Sequence, residues 1–419
     1  MLQNDKKKIK NVKYAECIRC GRRYEAETEL GLCKCGGTLE IQYDYEKMKK
    51  EIPREKIEHS SDYSMWRYRE MLPVAQGVTV QNMMVGGTPL YRCRMLGEQI
   101  GISELYLKDE GRNPTASLKD RASAVGISKA RENKKKVVCC ASTGNAAASL
   151  AGNAAADQLR CVIFVPANIS QAKLAQLLIF GAIVFRVDGN YEEAFLLSEQ
   201  VIERYGWYSR NAGINPFLIE GKKTVAYEIC EQLGWQSPDY VAVSVGDGCT
   251  IAGIWKGFLD LYELNWIEKL PRLISVQASG CCPVHRSIKE GMVSKAALEG
   301  TLADSIAVER PRNREKAVRA MIQSKGLMAE VSDEEILEAM KMMGHSSGVF
   351  AEMAGAAALA GVRKLCREGR IEKGKKVVVV VTGNGLKDCS SALKATGQPM
   401  EIKPEIQCFD KIAKTLDLC

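Results

Sequence analysis

Residues 240–256 read Tyr240-Val241-Ala242-Val243-Ser244-Val245, then Gly246-Asp247-Gly248-Cys249-Thr250, then Ile251-Ala252-Gly253-Ile254-Trp255-Lys256. This order predicts a buried strand, a glycine turn and a helix. Glycines let backbone amides approach an anion, and a helix N-terminus supplies favourable dipole charge, so the turn is a candidate phosphate cradle. Such a turn is also typical of tight packing alone, and its spacing matches neither the Walker lysine loop nor the dinucleotide fingerprint.

Two further predicted strands end in turns of this kind. Residues 137–141 are followed by Ser142-Thr143-Gly144-Asn145-Ala146, and residues 376–381 are followed by Thr382-Gly383-Asn384-Gly385. From residue 88 onward, short apolar runs alternate with segments of helix length; the runs are residues 105–107, 137–141, 160–165, 182–187, 240–245, 273–276 and 376–381. This alternation predicts an α/β fold with a mostly parallel sheet and helices on both faces. Because ligands bind at the carboxyl ends of such strands, we expect the three turns to meet in one crevice.

Length and composition limit the class of protein. A chain of 419 residues with 46% hydrophobic and 26% charged side chains predicts two or three globular domains. The net charge of +8 is interleaved with acidic residues outside short lysine-rich runs at residues 6–10 and 134–136, so we expect no nucleic-acid partner. No apolar run approaches the roughly eighteen residues that span a bilayer, so we expect no membrane insertion. Sixteen cysteines without a signal-peptide pattern indicate reduced thiols and a cytoplasmic protein.

Four cysteines near the N-terminus have the spacing of a metal site. Cys17 and Cys20 form a Cys-x2-Cys knuckle followed by glycine, and glycine also follows the close pair Cys33 and Cys35. Four thiolates at two tight turns suit tetrahedral Zn²⁺ in a closed, structural site. The second pair is one residue shorter than usual, so a hairpin unit that has kept its fold and lost its metal is the alternative.

Lys119 lies in Asn113-Pro114-Thr115-Ala116-Ser117-Leu118-Lys119-Asp120-Arg121, where the chain turns and then has helix-forming composition to residue 130. An ordinary lysine at this position would be an exposed helix residue. A desolvated lysine instead loses its proton, forms a Schiff base with an aldehyde cofactor and moves a substrate's α-proton. Neither the lysine nor the 246–250 turn decides between these possibilities alone.

The motifs, in their order along nearly the whole chain, resemble those of the threonine synthase group of fold-type II, tryptophan synthase β-like pyridoxal-phosphate enzymes. The resemblance is carried by the two cysteine pairs, residues 113–121 and 142–145, Glu220-Gly221-Lys222-Lys223-Thr224, and residues 246–250 and 382–388. It implies a homodimer of chains with two open, mostly parallel sheet domains. The implied units are a zinc-ribbon-like unit at residues 1–43, a large cofactor-binding domain from residues 44–130 and 236–395, a small α/β domain at residues 131–235 and a C-terminal tail at residues 396–419.

The resemblance also implies roles for individual residues. Lys119 would bind the cofactor aldehyde, take the α-proton and later return it. The other cofactor contacts would come from Asn145 at the 3′-oxygen, Thr382 at the pyridine nitrogen, and Gly246, Asp247, Gly248, Cys249 and Thr250 at the phosphate. The α-carboxylate of an amino-acid substrate would lie against Ser142, Thr143, Gly144, Asn145 and Ala146. A neutral hydroxyl at the pyridine nitrogen favours elimination and replacement over transamination.

One segment departs from the family pattern. The implied reaction converts O-phosphohomoserine and water to threonine and phosphate, but Ala212, Gly213 and Leu218 stand where the family commonly has a phosphate-gripping Asn, Ser and Arg. Each lost charge-assisted hydrogen bond weakens binding by about 1.5–3 kcal/mol. The nearby side chains that would compensate are Arg210, Asn211, Lys222 and Lys256. The alternative is a related pyridoxal-phosphate enzyme that eliminates or replaces a β- or γ-substituent of another amino acid, phosphorylated or not.

The sequence leaves one non-catalytic alternative open and assigns a role to Glu352. A non-catalytic protein that keeps the cofactor loops as a sensor is a third alternative, and an acid-base lysine at position 119 argues against it. Glu352 is interpreted as a structural acid at a helix N-terminus, where the helix dipole favours negative charge.

Overall fold

The computed structural model describes residues 9–26, 29–80, 83–167, 169, 171–291, 299–416 and 418. Residues 6–8 of the first lysine-rich run therefore lie outside the described residues. The described strands form one small antiparallel sheet and two larger, mostly parallel sheets. Within these ranges, no helix combines the length and the apolar character needed to cross a bilayer.

The N-terminal unit is a three-stranded sheet. Strand β1 (Val12–Cys17) pairs antiparallel with β2 (Arg23–Tyr24) on one side and with β3 (Leu39–Tyr43) on the other. Alternate residues of β3 are buried, which is the period expected for a strand with one face on a core. The chain then continues through α1 (Tyr45–Glu51), α2 (Arg54–Glu58) and a 3-10 helix (Met65–Met71).

Two larger sheets carry the rest of the fold. Their strands are β4 (Leu90–Arg92), β5 (Glu104–Asp109), β6 (Val137–Ala141), β7 (Arg160–Pro166), β8 (Ile183–Val187), β9 (Tyr208–Ser209), β10 (Tyr240–Ser244), β11 (Arg272–Ala278), β12 (Leu327–Val331) and β13 (Lys376–Val381). The first sheet has the order β12-β11-β10-β13-β5-β4 and is parallel except at the β4 edge. The second has the order β8-β7-β6-β9 and is parallel throughout. The predicted α/β class is confirmed.

Helices cover both sheets. They are α3 (Arg94–Ile100), α4 (Lys119–Glu132), α5 (Asn145–Ala156), α6 (Gln171–Ile179), α7 (Tyr191–Tyr205), α8 (Phe217–Lys222), α9 (Thr224–Gln232), α10 (Cys249–Glu263), α11 (Pro283–Glu290), α12 (Arg314–Gln323), α13 (Asp333–Ser347), α14 (Met353–Arg367), α15 (Cys389–Thr396) and α16 (Ile406–Thr415). Short 3-10 turns occupy Glu110–Arg112, Asp304–Ile306 and Gly385–Lys387. Strands β10 and β13 are buried almost along their whole length, as in parallel sheets with helices on both faces. The domain boundaries given above stay a prediction.

A buried cluster of charges fixes the start of α4. Arg121 is fully buried and bonds Glu110 through Nε at 2.7 Å and Glu228 through Nη1 at 2.6 Å. Lys108, also fully buried, donates to Glu228 at 2.7 Å. Each buried charge thus has an opposite partner, which is the condition under which ions are tolerated in a protein interior. The cluster ties together β5, α4 and α9, and Lys119 lies two residues before Arg121.

Candidate active site

A cavity of about 940 Å³ opens where β6, β10 and β13 end. The turns after all three strands line it, so the predicted crevice exists. Every residue that the sequence assigned to cofactor or substrate lies on its wall: Lys119, Ser142, Thr143, Gly144, Asn145, Ala146, Gly246, Asp247, Gly248, Cys249, Thr250 and Thr382. Its volume is in the range of pockets that hold a cofactor or drug-sized molecule.

Lys119 is the first residue of α4, and its side chain reaches the cavity. The preceding loop is fixed because the Asp120 carboxylate accepts from Thr115 N and Thr115 Oγ1, both at 2.7 Å. Leu118 N donates to the Thr382 carbonyl at 2.9 Å, which joins this loop to the turn after β13. Burial and the nearby Lys222 charge lower the pKa of Lys119 to about 8, although Glu352 acts in the opposite direction. The amine is therefore easier to deprotonate than an exposed lysine.

Asn145 begins α5, with Gly144 at the N-cap. The first backbone amides of a helix have no partner within it, so this end of α5 offers donors to the cavity. Ser142 Oγ accepts from Gly144 N at 3.3 Å and holds the turn. The Asn145 amide donates to both carboxylate oxygens of Glu352, at 2.8 and 3.0 Å. Asn145 is thus held in one orientation.

The 246–250 turn has the shape of an anion cradle. Gly248 is the N-cap of α10 with φ of 89°, a conformation that favours glycine, and a Cβ there would lie 2.8 Å from the Asn313 carbonyl oxygen. Both oxygens of Asp247 have partners within the protein: Oδ1 accepts from Arg312 N at 2.6 Å and Oδ2 from the Cys249 thiol at 3.1 Å. Burial raises the pKa of Cys249 to about 12, so its sulfur is a neutral thiol. The carboxylate is consequently engaged before any anion enters.

Glu352 is a cavity residue whose position there was not expected from the sequence. It does precede a helix, as the N-cap of α14, but its side chain does not cap that helix. Its carboxylate lies in the cavity wall, where burial raises its pKa against the effects of Asn145 and Lys119. The signal that could have revealed it is the small-residue start of α14, Met353-Ala354-Gly355-Ala356-Ala357, which indicates a buried helix end. The purely structural interpretation of Glu352 was therefore incomplete.

The positions that depart from the family pattern fall into two groups. Ala212 and Gly213 line the cavity, whereas Leu218 is fully buried and is not part of its wall. A Cβ on Gly213 would lie 2.5 Å from Arg312 Cβ, because the Arg312 side chain runs across this glycine. The Arg312 guanidinium lies 3.8 Å from the centre of the Phe195 ring, within cation–π range. A guanidinium thus reaches the cavity wall from a different segment.

Of the four side chains considered as replacements for the missing phosphate contacts, three lie at the cavity. Arg210, Asn211 and Lys222 line the cavity, but Lys256 does not. Arg210 is 2% exposed and donates through Nε to Ser123 Oγ at 3.1 Å. Lys256 instead donates to the Ile41 carbonyl of the N-terminal unit and pairs with Glu220.

The four N-terminal cysteines lie together. The Sγ atoms of Cys17, Cys20, Cys33 and Cys35 are all within 4.8 Å of one another. Neighbouring sulfurs are 3.4–3.6 Å apart, and a tetrahedral Zn²⁺ with Zn–S bonds of about 2.3 Å places its sulfurs about 3.8 Å apart. The short Cys-x-Cys spacing of the second pair therefore does not prevent a four-sulfur arrangement.

Comparisons with known proteins agree with this geometry. The family model described as "Pyridoxal-phosphate dependent enzyme" matches residues 82–383, so the chain is an enzyme of this class. The threonine synthase of Methanocaldococcus jannaschii is 40% identical over 403 residues, 96% of this chain and 99% of that protein. The threonine synthase of Methanosarcina acetivorans is 38% identical over 401 residues, 94% of this chain and 97% of that protein. The chain therefore belongs to the threonine synthase family of pyridoxal-phosphate dependent lyases.

Solved structures share the fold. The processed form of threonine deaminase isoform 2 from Solanum lycopersicum has a TM-score of 0.65 and 25% identity, and the match covers 74% of this chain and 87% of that one. Maize serine racemase has a TM-score of 0.62 and 21% identity, with 79% and 92% covered. These two enzymes confirm the fold-type II architecture implied by the motifs.

Proposed function

We propose that this protein converts O-phosphohomoserine and water to threonine and phosphate with pyridoxal phosphate as cofactor. The observation that carries the proposal is the place of Lys119, an amine with a lowered pKa in a cavity bounded by two helix N-termini. Identity of 38–40% to threonine synthases over nearly the whole chain supports the choice of reaction within the family.

The residues of the cavity fit the cofactor. Lys119 would hold it covalently through Nζ, and the Thr382 hydroxyl and the Asn145 amide would meet its ring. Its phosphate would lie in the cradle formed by Gly246, Asp247, Gly248, Cys249 and Thr250, where a side chain on Gly248 would not fit. Bound pyridoxal phosphate withdraws electrons from the α-carbon of an amino acid and so makes its α-proton removable.

The protein side of the reaction then follows from the chain's own groups. The N-terminus of α5, with Ser142, Thr143, Gly144 and Ala146, would bind the α-carboxylate, because a helix N-terminus favours an anion. Lys119 Nζ would take the α-proton and return it, for which a pKa near working pH is favourable. Glu352 would act as a positioning residue, since it fixes the Asn145 amide.

A second candidate is favoured by the wall of the cavity itself. Ala212 and Gly213 offer no side-chain donor to a leaving phosphate, and Leu218 lies outside the wall. An enzyme of the same family that acts on a β- or γ-substituted amino acid without phosphate fits these positions better. The first candidate needs a guanidinium at the substrate phosphate, and the described cavity wall carries Arg210, Arg310 and Arg312.

Product analysis separates the two candidates. Purified holoenzyme is given O-phosphohomoserine, and released phosphate and threonine are measured in equal amounts under the first candidate. Absence of both products, with turnover of serine, threonine or acetylated analogues, would replace it by the second. Lys119→Ala should lower turnover by at least about a hundredfold and remove the cofactor–lysine link that borohydride makes permanent. Lys173→Ala, at another lysine of the cavity wall, serves as the matched control and should keep that link.

The N-terminal cysteine site is proposed to hold one structural Zn²⁺. The four-sulfur arrangement of Cys17, Cys20, Cys33 and Cys35 supports it, and it leaves no open position for a substrate. Elemental analysis of protein purified under reducing conditions should give about one zinc per chain. Metal-free protein with four titratable thiols at this site would contradict the proposal.

We also propose a cytoplasmic homodimer. The described cysteines are all free, which fits a reducing compartment, and the dimer follows the family resemblance. A mass near twice 46.2 kDa by light scattering is the expected result, and a monomer mass would contradict it.

A further inference from the structure

Lys222 is a buried cation without a counter-ion. It ends α8, is 1% exposed and lines the cavity. Among the residues that the structure describes, its Nζ makes no hydrogen bond or ion pair, whereas its buried neighbour Lys223 pairs with Glu220 and Asp260. A buried charge is costly unless it is paired, so Lys222 would carry its charge stably only beside an anion, and none of the described residues supplies one.

The backbone of α8 directs Lys222 along the cradle helix. A Cβ on Gly253 of α10 would lie 3.0 Å from Lys222 Cβ, so the two helices touch one turn after α10 begins. Burial and Arg210 lower the pKa of Lys222, and Asp247 acts in the opposite direction. Lys222 and the 246–250 cradle line the same cavity, so the amine and the N-terminus of α10 border the same space.

Positive charge is in excess around the N-terminus of α10. The start of α10 carries the positive end of its dipole, and Arg210 is a second buried cation nearby. Asp247 does not balance them alone, because its two oxygens accept from Arg312 N and the Cys249 thiol and it forms no ion pair with Lys222 among the described residues. An incoming group with several anionic oxygens would satisfy both cations and the free amides of the helix.

We infer that Lys222 Nζ binds a phosphoryl group in the 246–250 cradle, and that this group is the phosphate of the cofactor. The inference rests on the proposed use of pyridoxal phosphate. Backbone amides and the helix dipole already favour an anion, and an ammonium within the cradle adds a full positive charge that favours the dianion further. A phosphate released from a substrate has the same chemistry, and it is the other source that the experiment distinguishes.

Cofactor affinity is the direct test, because it does not depend on turnover. Apoenzyme is titrated with pyridoxal phosphate and with pyridoxal, which lacks the phosphate, and binding is followed by absorbance. Lys222→Gln should weaken the binding of pyridoxal phosphate by about tenfold to a hundredfold, the range for one charge-assisted hydrogen bond. The affinity for pyridoxal should be unchanged. Lys222→Arg should restore most of the loss. Lys173→Gln removes another cavity charge and should change neither affinity.

The remaining outcomes are equally decisive. If Lys222→Gln keeps its affinity for pyridoxal phosphate but its holoenzyme binds inorganic phosphate more weakly by calorimetry, the phosphoryl site stands and a substrate is the source. If all three affinities equal those of the wild type, or if pyridoxal phosphate and pyridoxal weaken together without rescue by Lys222→Arg, the inference is overturned. Failure to make threonine would refute the proposed reaction and leave these results intact.

A measurement on the unaltered holoenzyme covers the case in which Lys222→Gln does not fold. The phosphorus NMR resonance of a cofactor phosphate held by an ammonium should stay at its dianion position when the pH is lowered through about 6, where a free phosphate monoester takes up its second proton. A resonance that titrates as it does in free cofactor would overturn the inference.

Discussion

The sharpest consequence of the buried charge cluster concerns Glu228. Glu228 is 3% exposed and its oxygens accept from Arg121 at 2.6 and 2.7 Å and from Lys108 at 2.7 Å. Glu228→Gln keeps the shape but leaves two cations with only Glu110 as an anionic partner. Removal of one partner from a buried ion pair costs about 3–5 kcal/mol, so we expect the free energy of unfolding to fall by that amount.

Urea unfolding at pH 7 measures this change. The matched control is Glu16→Gln, which removes the partner of Arg23 in a pair with side chains 30% and 62% exposed, and we expect it to cost less than about 1 kcal/mol. Because Arg121 lies two residues after Lys119, Glu228→Gln should also lower the fraction of protein that retains cofactor. A cost for Glu228→Gln below about 1 kcal/mol would refute the reasoning.

The pH dependence gives a second check on the same residue. Burial disfavours the Glu228 carboxylate, but Arg121 and Lys108 outweigh it and hold the pKa of Glu228 well below its ordinary value. A lowered carboxyl pKa contributes stability that is fully present above the unfolded value of about 4.3 and is lost as the pH falls toward the folded value. The difference between wild type and Glu228→Gln should therefore be constant near neutral pH and shrink in acid.

Three further predictions test the cavity and the cysteine site. Gly213→Ser should displace Arg312, because the new Cβ would lie 2.5 Å from Arg312 Cβ. KM should rise several-fold while the cofactor spectrum stays unchanged. An unaltered KM would contradict the role of Arg312 at the substrate phosphate. Glu352→Gln removes a carboxylate that raises the pKa of Lys119. The pH midpoint for acylation of Lys119 in apoenzyme should therefore move below about 8. A move upward would refute this effect of Glu352 on Lys119. Cys20→Ser should lower both the zinc content and Tm, and no change in either would argue for a metal-free hairpin.

Most strands that the sequence predicted are buried; β8, predicted from residues 182–187, is the half-exposed exception. Residues 137–141 and 376–381 match β6 and β13 at both ends, because a continuous apolar run bounded by polar turns has few alternative structures. Strands β4, β9 and β12 were missed. β4 and β12 are sheet edges, β4 has three residues and β9 two, and a short or half-exposed strand carries little apolar pattern. Their pairing is decided by the neighbouring strand.

The cavity was predictable where it is built from strand-end turns and not where it is built from helix sides. The turns after β10 and β13 follow neighbouring strands of the first sheet, and the turn after β6 follows a strand of the second. All three lie at carboxyl ends of parallel strands, so their residues could be grouped from the sequence alone. Arg210 and Lys222 were named only as neighbours of the departing segment, Lys256 was named with them and lies outside the wall, and Glu352 was treated as structural. Their burial depends on which helices pack together, and that is set by distant residues such as Gly253.

Helix α8 connects the N-terminal unit to the cavity. Glu220 and Lys222 are two residues apart on a helix, so their side chains point about 200° apart, to opposite faces. Glu220 accepts from Tyr43 of β3 at 2.7 Å, and Lys223 pairs with Asp260 at 2.8 Å, while Lys222 faces the cavity. Three charged residues within about one helical turn are thus buried, each facing a different part of the protein. The N-terminal unit has no residue in the cavity wall, among the residues described, yet it contacts α8 through Tyr43 and α10 through the Ile41 carbonyl. Any effect of metal on cofactor binding therefore has these two helices as its routes.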